Sequence, residues 1–167
     1  MVSLANANSP GQTVLSGELT ALQRAMELAK ARGARLVQRL QVSIAAHSPL
    51  MQNAAHSFSE LVHRIHLRPP EVPLVANISA RALTSVDELR HELSEQLTRP
   101  VQWTRSVQEM VAHGVDTIVE IGPRQVLTGL VKRITPDARP ISMSDTEVAR
   151  LVSEPPPERQ DEQVGVP

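Results

Sequence analysis

Residues 114–134 read GVDTIVEIGPRQVLTGLVKRI. Val115, Ile118, Val119 and Ile121 make the stretch Val115–Ile121 rich in apolar residues, and it is read as a strand covered on both faces. Gly122-Pro123 breaks that strand and turns the chain into a helix. Val126, Leu127, Leu130, Val131 and Ile134 then recur on one side of it. The neighbouring segments are read outward from this strand–turn–helix succession, the helix after His47 being the best-defined element among them.

Upstream, Pro100 is read as opening a helix with Trp103, Val107, Met110 and Val111 inward and Gly114 at its end. Before it, Ser85-Val86-Asp87-Glu88 has the spacing of a capping box and predicts a helix to about Leu97. VPLVAN and ISARAL are expected as short strands. The Ser48-Pro49 pair caps and opens a helix carrying an apolar stripe from Leu50 to Ile65, ended by Pro69-Pro70. RLVQRLQV, residues 35–42, alternates as a half-buried strand would. A helix is expected over residues 18–32 with Gly33 as its stop. Before that, VSLAN and QTVLSG read as two strands around an Asn8-Ser9-Pro10-Gly11 turn. From about Ser153 the chain is polar and proline-rich and reads as a disordered tail.

The bulk numbers remove several function classes. The 167 residues suit one domain or parts of two. One Phe and one Trp leave the core to Leu, Val, Ile, Ala and Met. A net charge of −1 gives no electrostatic reason to expect nucleic acid as a partner. Without cysteine there can be no disulfide, no thiolate catalysis and no Cys-ligated zinc. No apolar run approaches the roughly 18 residues of a membrane span, and the N-terminus lacks the pattern of a signal peptide. A cytoplasmic protein without membrane contact is therefore expected. His63 and His66 stand three apart on one expected helix with no third ligand evident, and His91-Glu92 lacks the second histidine of a zincin, so no metal is expected.

In QVSIAAHSPLM, residues 41–51, His47 stands at the junction into the Ser48-Pro49 helix. Such a histidine is often merely structural. Here the positive end of the helix dipole favours the neutral ring that a general base needs, and Ala45 and Ala46 leave it uncrowded. Ser48 is adjacent in sequence and is better placed as the cap than as a nucleophile. No Gly-x-Ser-x-Gly turn that would expose a nucleophilic serine occurs.

NSPGQTVLSG, HSPLM, QLTRPVQWTRSV and GVDTIVEIGPRQVLTGLVKRI occur in this order and at these spacings. Together they resemble the C-terminal half of a malonyl-CoA:acyl-carrier-protein transacylase, a pattern shared with polyketide-synthase acyltransferase domains. The resemblance covers about residues 2–134. It implies an α/β fold, made of the C-terminal part of an α/β-hydrolase-like large subdomain plus part of a ferredoxin-like small subdomain. It divides the chain into residues 1–42 (small subdomain), 43–146 (large subdomain) and 147–167 (tail).

The activity implied is ping-pong acyl transfer. A serine attacks malonyl-CoA, a histidine takes its proton, and the malonyl ester passes to the phosphopantetheine thiol of an acyl carrier protein. No cofactor is implied beyond these substrates. Residue by residue, the resemblance makes His47 the general base and Gln96 the residue whose backbone carbonyl orients it. Asn8 falls near the substrate, where an ordinary turn residue is at least as good a reading. Ala46 falls at an acyl-selectivity position; alanine leaves room beside the malonyl α-carbon and weighs against strict malonyl selectivity. Arg35, Lys132 and Arg133 are candidates for docking an acidic carrier protein, with favourable helix-end placement the competing reading for the last two.

The serine, the carboxylate-binding arginine and the oxyanion loop belong to the family's other half. The chain is accordingly expected to be a fragment, inactive alone, that needs the missing N-terminal half and self-associates or folds poorly without it. Two other readings stand beside this one: a polyketide-type acyltransferase piece, and a non-catalytic module that docks a carrier protein.

Overall fold

The computed structural model describes residues 1–143; the expected tail lies outside the described residues. β1 (Val2–Ser9) and β2 (Gln12–Gly17) form an antiparallel hairpin. Its turn is Pro10-Gly11, so Asn8 lies in the strand rather than in the turn. Register shifts leave Ala5 and Asn8 as the extra residues of two bulges, between Leu4 and Asn6 and between Ala7 and Ser9. Gly17 must be glycine, because a Cβ there would run into the Met1 carbonyl oxygen. α1 (Leu19–Ala31) follows, in the expected place.

Residues 35–42 do not form the expected strand. Leu36 is 80% exposed, and among the described residues no strand pairs with this segment. Alternation supplies a face but not a partner, and a strand requires both.

A single 3-10 turn, Pro49–Met51, leads into α2 (Gln52–Arg64). Of its apolar stripe, Ala55 and Val62 are buried, whereas Leu61 and Ile65 face outward. β3 (Leu74–Val75) and β4 (Ala82–Leu83) pair antiparallel as a two-residue ladder. α3 (Val86–Glu95) starts with the capping box read from the sequence, Ser85 Oγ accepting the Glu88 N–H and Glu88 accepting the Ser85 N–H.

α4 (Trp103–Ala112) begins three residues later than expected. Val101 is drawn instead into a parallel bridge with Asn6 of β1. Its N–H donates to the Ala5 carbonyl (2.8 Å), and its carbonyl accepts the Ala7 N–H (2.9 Å). An extended residue after Pro100 thus ties the hairpin to the rest of the chain.

β5 (Thr117–Ile121), α5 (Val126–Ile134) and β6 (Arg139–Met143) make a βαβ unit with the two strands parallel. β6 has no counterpart among the elements expected from the sequence, and it contains Pro140, a residue that argues against a strand. It is tolerated here on an edge, paired with Ile118. Val107 of α4, Val131 of α5 and Ala138 form the buried cluster, with Trp103, Met110, Val111, Ile118 and Ile134 packed against it. β5 is not covered on both faces: Val119 and Ile121 are exposed, and only β6 pairs with it among the described residues.

Glu120 caps α5 from the end of β5. Its carboxylate accepts the N–H groups of Leu127 (3.0 Å) and Thr128 (2.7 Å), two donors that a helix N-terminus otherwise leaves unpaired. Burial pushes this carboxyl up, but the backbone donors outweigh it and hold Glu120 below the usual glutamate range. A lowered folded-state value makes the stabilisation present above the unfolded value of about 4.3, and lost as pH falls through the lower folded one. Glu120→Ala is expected to cost about 1 kcal/mol at pH 7, read as a lower urea midpoint. The gap to the parent should close as the solution is acidified below about pH 4.

Candidate functional site

His47 is half-buried and adopts φ +57°, the left-handed region that histidine seldom occupies. The next residue supports this conformation. Ser48 is 1% exposed; its hydroxyl donates to the Ala45 carbonyl (2.7 Å) and accepts the Leu50 N–H (3.3 Å). Both of these bonds are local and internal, so Ser48 acts as a cap and its hydroxyl is not presented to the histidine.

The imidazole Nδ1 lies 2.9 Å from the backbone carbonyl oxygen of Gln96, at the C-terminal end of α3. A carbonyl can only accept, so Nδ1 carries the proton in this bond and Nε2 keeps its lone pair. The contact joins residues 49 apart in sequence. Gln96 is half-buried, and it is its main chain that meets the histidine.

The Gln96 carbonyl is available for a reason written in the sequence. In a continuing helix it would accept the N–H of the residue four further on. That residue is Pro100, which has none. The last turn closes instead with the Thr98 and Arg99 N–H groups on the Glu95 carbonyl. The proline four residues after the glutamine is the sequence signal for this free carbonyl, besides its expected place at a helix start. Pro100→Ala supplies a competing donor. It is expected to speed exchange of the His47 Nδ1 proton several-fold, the loss of roughly 1 kcal/mol of hydrogen bonding, measured by NMR on the imidazole.

The other candidates do not gather around His47 through any hydrogen bond or ion pair among the described residues. Asn8 is the half-buried bulge residue of β1. Ala46 precedes the histidine and is half-buried. Arg35 is exposed in the irregular segment after α1, not at the start of a strand. Lys132 is exposed in the last turn of α5. Arg133 is engaged within the fold: it donates to the Gln12 side-chain oxygen (2.6 Å) and to the Gly129 carbonyl (3.1 Å), holding α5 against the hairpin. A cleft of about 440 Å³ between α2 and α3 is lined by Ser59, His63, Asp87, Arg90, His91 and Ser94, and includes neither His47 nor Gln96. Among the described residues no group of three or more His, Asp or Glu could hold a metal ion, and no helix is long and apolar enough to cross a membrane.

The profile of the acyl transferase domain family matches residues 1–166. The chain belongs to the acyl transferase domain family. A malonyl CoA-acyl carrier protein transacylase of Bacillus subtilis is 40% identical over 151 residues, which are 90% of this chain and 48% of that protein. The crystal structure of an acyl carrier protein S-malonyltransferase from Vibrio cholerae is 35% identical, with a TM-score of 0.84 over 90% of this chain and 49% of that one. A malonyl-transacylase solved in complex with a holo type II polyketide acyl-carrier protein is 38% identical, with a TM-score of 0.83 over 91% of this chain and 48% of that one. This acyl transferase chain thus spans about half the length of the curated relatives it matches. Its fold is the α/β fold of those acyltransferases, seen over about half of their length.

Proposed function

We propose that this chain contributes the general base of a malonyl transfer from CoA to the phosphopantetheine thiol of an acyl carrier protein. The observation that carries the reading is the 2.9 Å bond from His47 Nδ1 to the Gln96 carbonyl, which leaves Nε2 as the basic nitrogen. Residues 1–42 are assigned to the small subdomain and 43–146 to the large one.

In the first half-reaction a serine hydroxyl gives its proton to His47 Nε2 and attacks the thioester carbonyl. The tetrahedral intermediate collapses, and the departing CoA sulfur takes that proton from the imidazolium. In the second half-reaction the carrier thiol gives its proton to Nε2 and attacks the malonyl ester, and the serine oxygen leaves and is reprotonated. At each stage the Gln96 carbonyl, at the electronegative end of α3, faces the Nδ1–H of the imidazolium. The serine is assigned to a complementing segment: no nucleophile elbow occurs in the sequence, and Ser48, the nearest serine in sequence, is held as a cap. Asn8 and Ala46 are assigned to the acyl side of the site, and Arg35, Lys132 and Arg133 to carrier docking.

The test is intact-mass analysis of holo carrier protein incubated with malonyl-CoA and this chain, with and without the N-terminal half of a family member. Malonyl carrier formed only in the complemented mixture supports the reading. Transfer by the chain alone contradicts the assignment of the serine. Carrier binding without transfer in either mixture favours a docking module. A polyketide carrier is a second reading for the acceptor, favoured by the likeness to the transacylase solved with such a carrier. Comparing fatty-acid and polyketide carriers in the same assay decides between them.

A further inference from the structure

We infer that Glu92 is a positioning residue for His47, acting through the axial and rotational placement of α3. The Glu92 side chain is half-buried, and its Oε1 accepts two backbone donors outside its own helix, the N–H of Asn77 (2.8 Å) and of Ile78 (3.2 Å). Two adjacent backbone N–H groups converging on one carboxylate oxygen are charge-assisted bonds, stronger than neutral ones. They fix α3 to the segment between β3 and β4.

That segment is itself anchored. The Asn77 carbonyl accepts the Gln102 N–H (2.7 Å), and the Ala76 carbonyl accepts the Ser106 hydroxyl (3.3 Å), both at the start of α4. Ala76 and Arg81 close the segment on itself (2.8 Å). α4 is tied in turn to the hairpin by the Thr104 hydroxyl on the Ala7 carbonyl (3.0 Å).

Glu92 stands four residues before Gln96, one helical turn and about 6 Å along the axis on the same side of α3. A sliding or rolling of α3 that separated Glu92 from residues 77 and 78 would carry the Gln96 carbonyl with it. The His47 bond tolerates little such motion, because a donor–acceptor separation beyond about 3.5 Å no longer holds a hydrogen bond. The capping box starts α3 but bonds only within residues 84–88. A hydroxyl bond from Ser59 of α2 to Ser94 also reaches α3 (3.0 Å), but it joins two side chains; Glu92 is what ties α3 to the backbone between β3 and β4.

The inference rests on the His47–Gln96 pair having the role given above, but its test does not use acyl transfer, so the two can fail separately. In the full chain labelled with nitrogen-15, imidazole NMR reads the His47 tautomer and the exchange of its Nδ1 proton. The parent is expected to hold the Nδ1–H form with a slowly exchanging proton, and slowly exchanging Asn77 and Ile78 amides. Glu92→Gln keeps a carbonyl oxygen at the same reach and should retain both. Glu92→Asp keeps the charge but withdraws the oxygen by one methylene; it should lose the slow Nδ1 proton and shift His47 toward the Nε2–H form, while the Trp103 indole signal stays in place.

A Glu92→Asp variant that keeps the parent tautomer and exchange rate, with its Asn77 and Ile78 amides unprotected, overturns the inference. So do unprotected Asn77 and Ile78 amides in the parent, a measurement that needs no variant to fold.

Discussion

His47→Asn is expected to lower malonyl transfer in the complemented mixture by about a thousandfold, the middle of the range for losing a general base. Asparagine is the informative replacement. At φ +57° an alanine would add backbone strain of about 1 kcal/mol to the loss of the imidazole. Asparagine tolerates the left-handed region, so the Ala45–Ser48 turn should persist and the defect should be chemical. The effect should fall on kcat rather than on KM, because in the proposed mechanism the imidazole acts on the proton in flight and not on bound malonyl-CoA. An unchanged urea midpoint with lost transfer is the expected pair of results. Transfer at the parent rate with either His47→Asn or His47→Ala would remove the histidine from the mechanism. The residual rate in these variants would come from positioning and oxyanion stabilisation by the complementing half.

The second large effect concerns the state of the chain in solution. We expect a light-scattering mass well above the 18.3 kDa of one chain, shifting to a one-to-one complex when the N-terminal half of a family member is added. The reason is uncovered apolar surface. Ile121 at the end of β5 is 69% exposed and Val126 at the start of α5 is 57% exposed; Leu36, Leu40, Val42 and Ile44 add a run before His47. Covering a Val, Leu or Ile fully is worth about 1.5–3 kcal/mol each, so association through several is strongly favoured. Both strands of the β5–β6 pair are also edges among the described residues, and unpaired edges recruit further strands. A monodisperse monomer that unfolds cooperatively would refute this expectation, and with it the view that these surfaces are made for a partner.

Local signals were legible because local physics decides them. The Ser85–Glu88 box, the Ser48 cap with Pro49, the hairpin around Pro10-Gly11 and the Gly122-Pro123 break each depend on residues within about four positions of one another. His47 was singled out on the same basis, from its place before a capped helix. The structure departs from local expectation where partners from elsewhere in the chain decide. Residues 35–42 alternate correctly but find no neighbouring strand. Val101 leaves an expected helix because β1 offers it a bridge. Pro140 enters a strand because an edge of β5 is open to it.

The sequence by itself determined the α/β character, the order of most elements, the likeness to an acyltransferase half and the candidacy of His47. Those follow from periodicity, caps and ordered motifs, which are one-dimensional. The tertiary structure alone decided which nitrogen of His47 is basic, since that depends on an acceptor 49 residues away. It alone shows that Glu120 caps α5 and that Glu92 grips Asn77 and Ile78. A carboxylate's role is set by the donors that surround it in space, and no spacing along a chain encodes those.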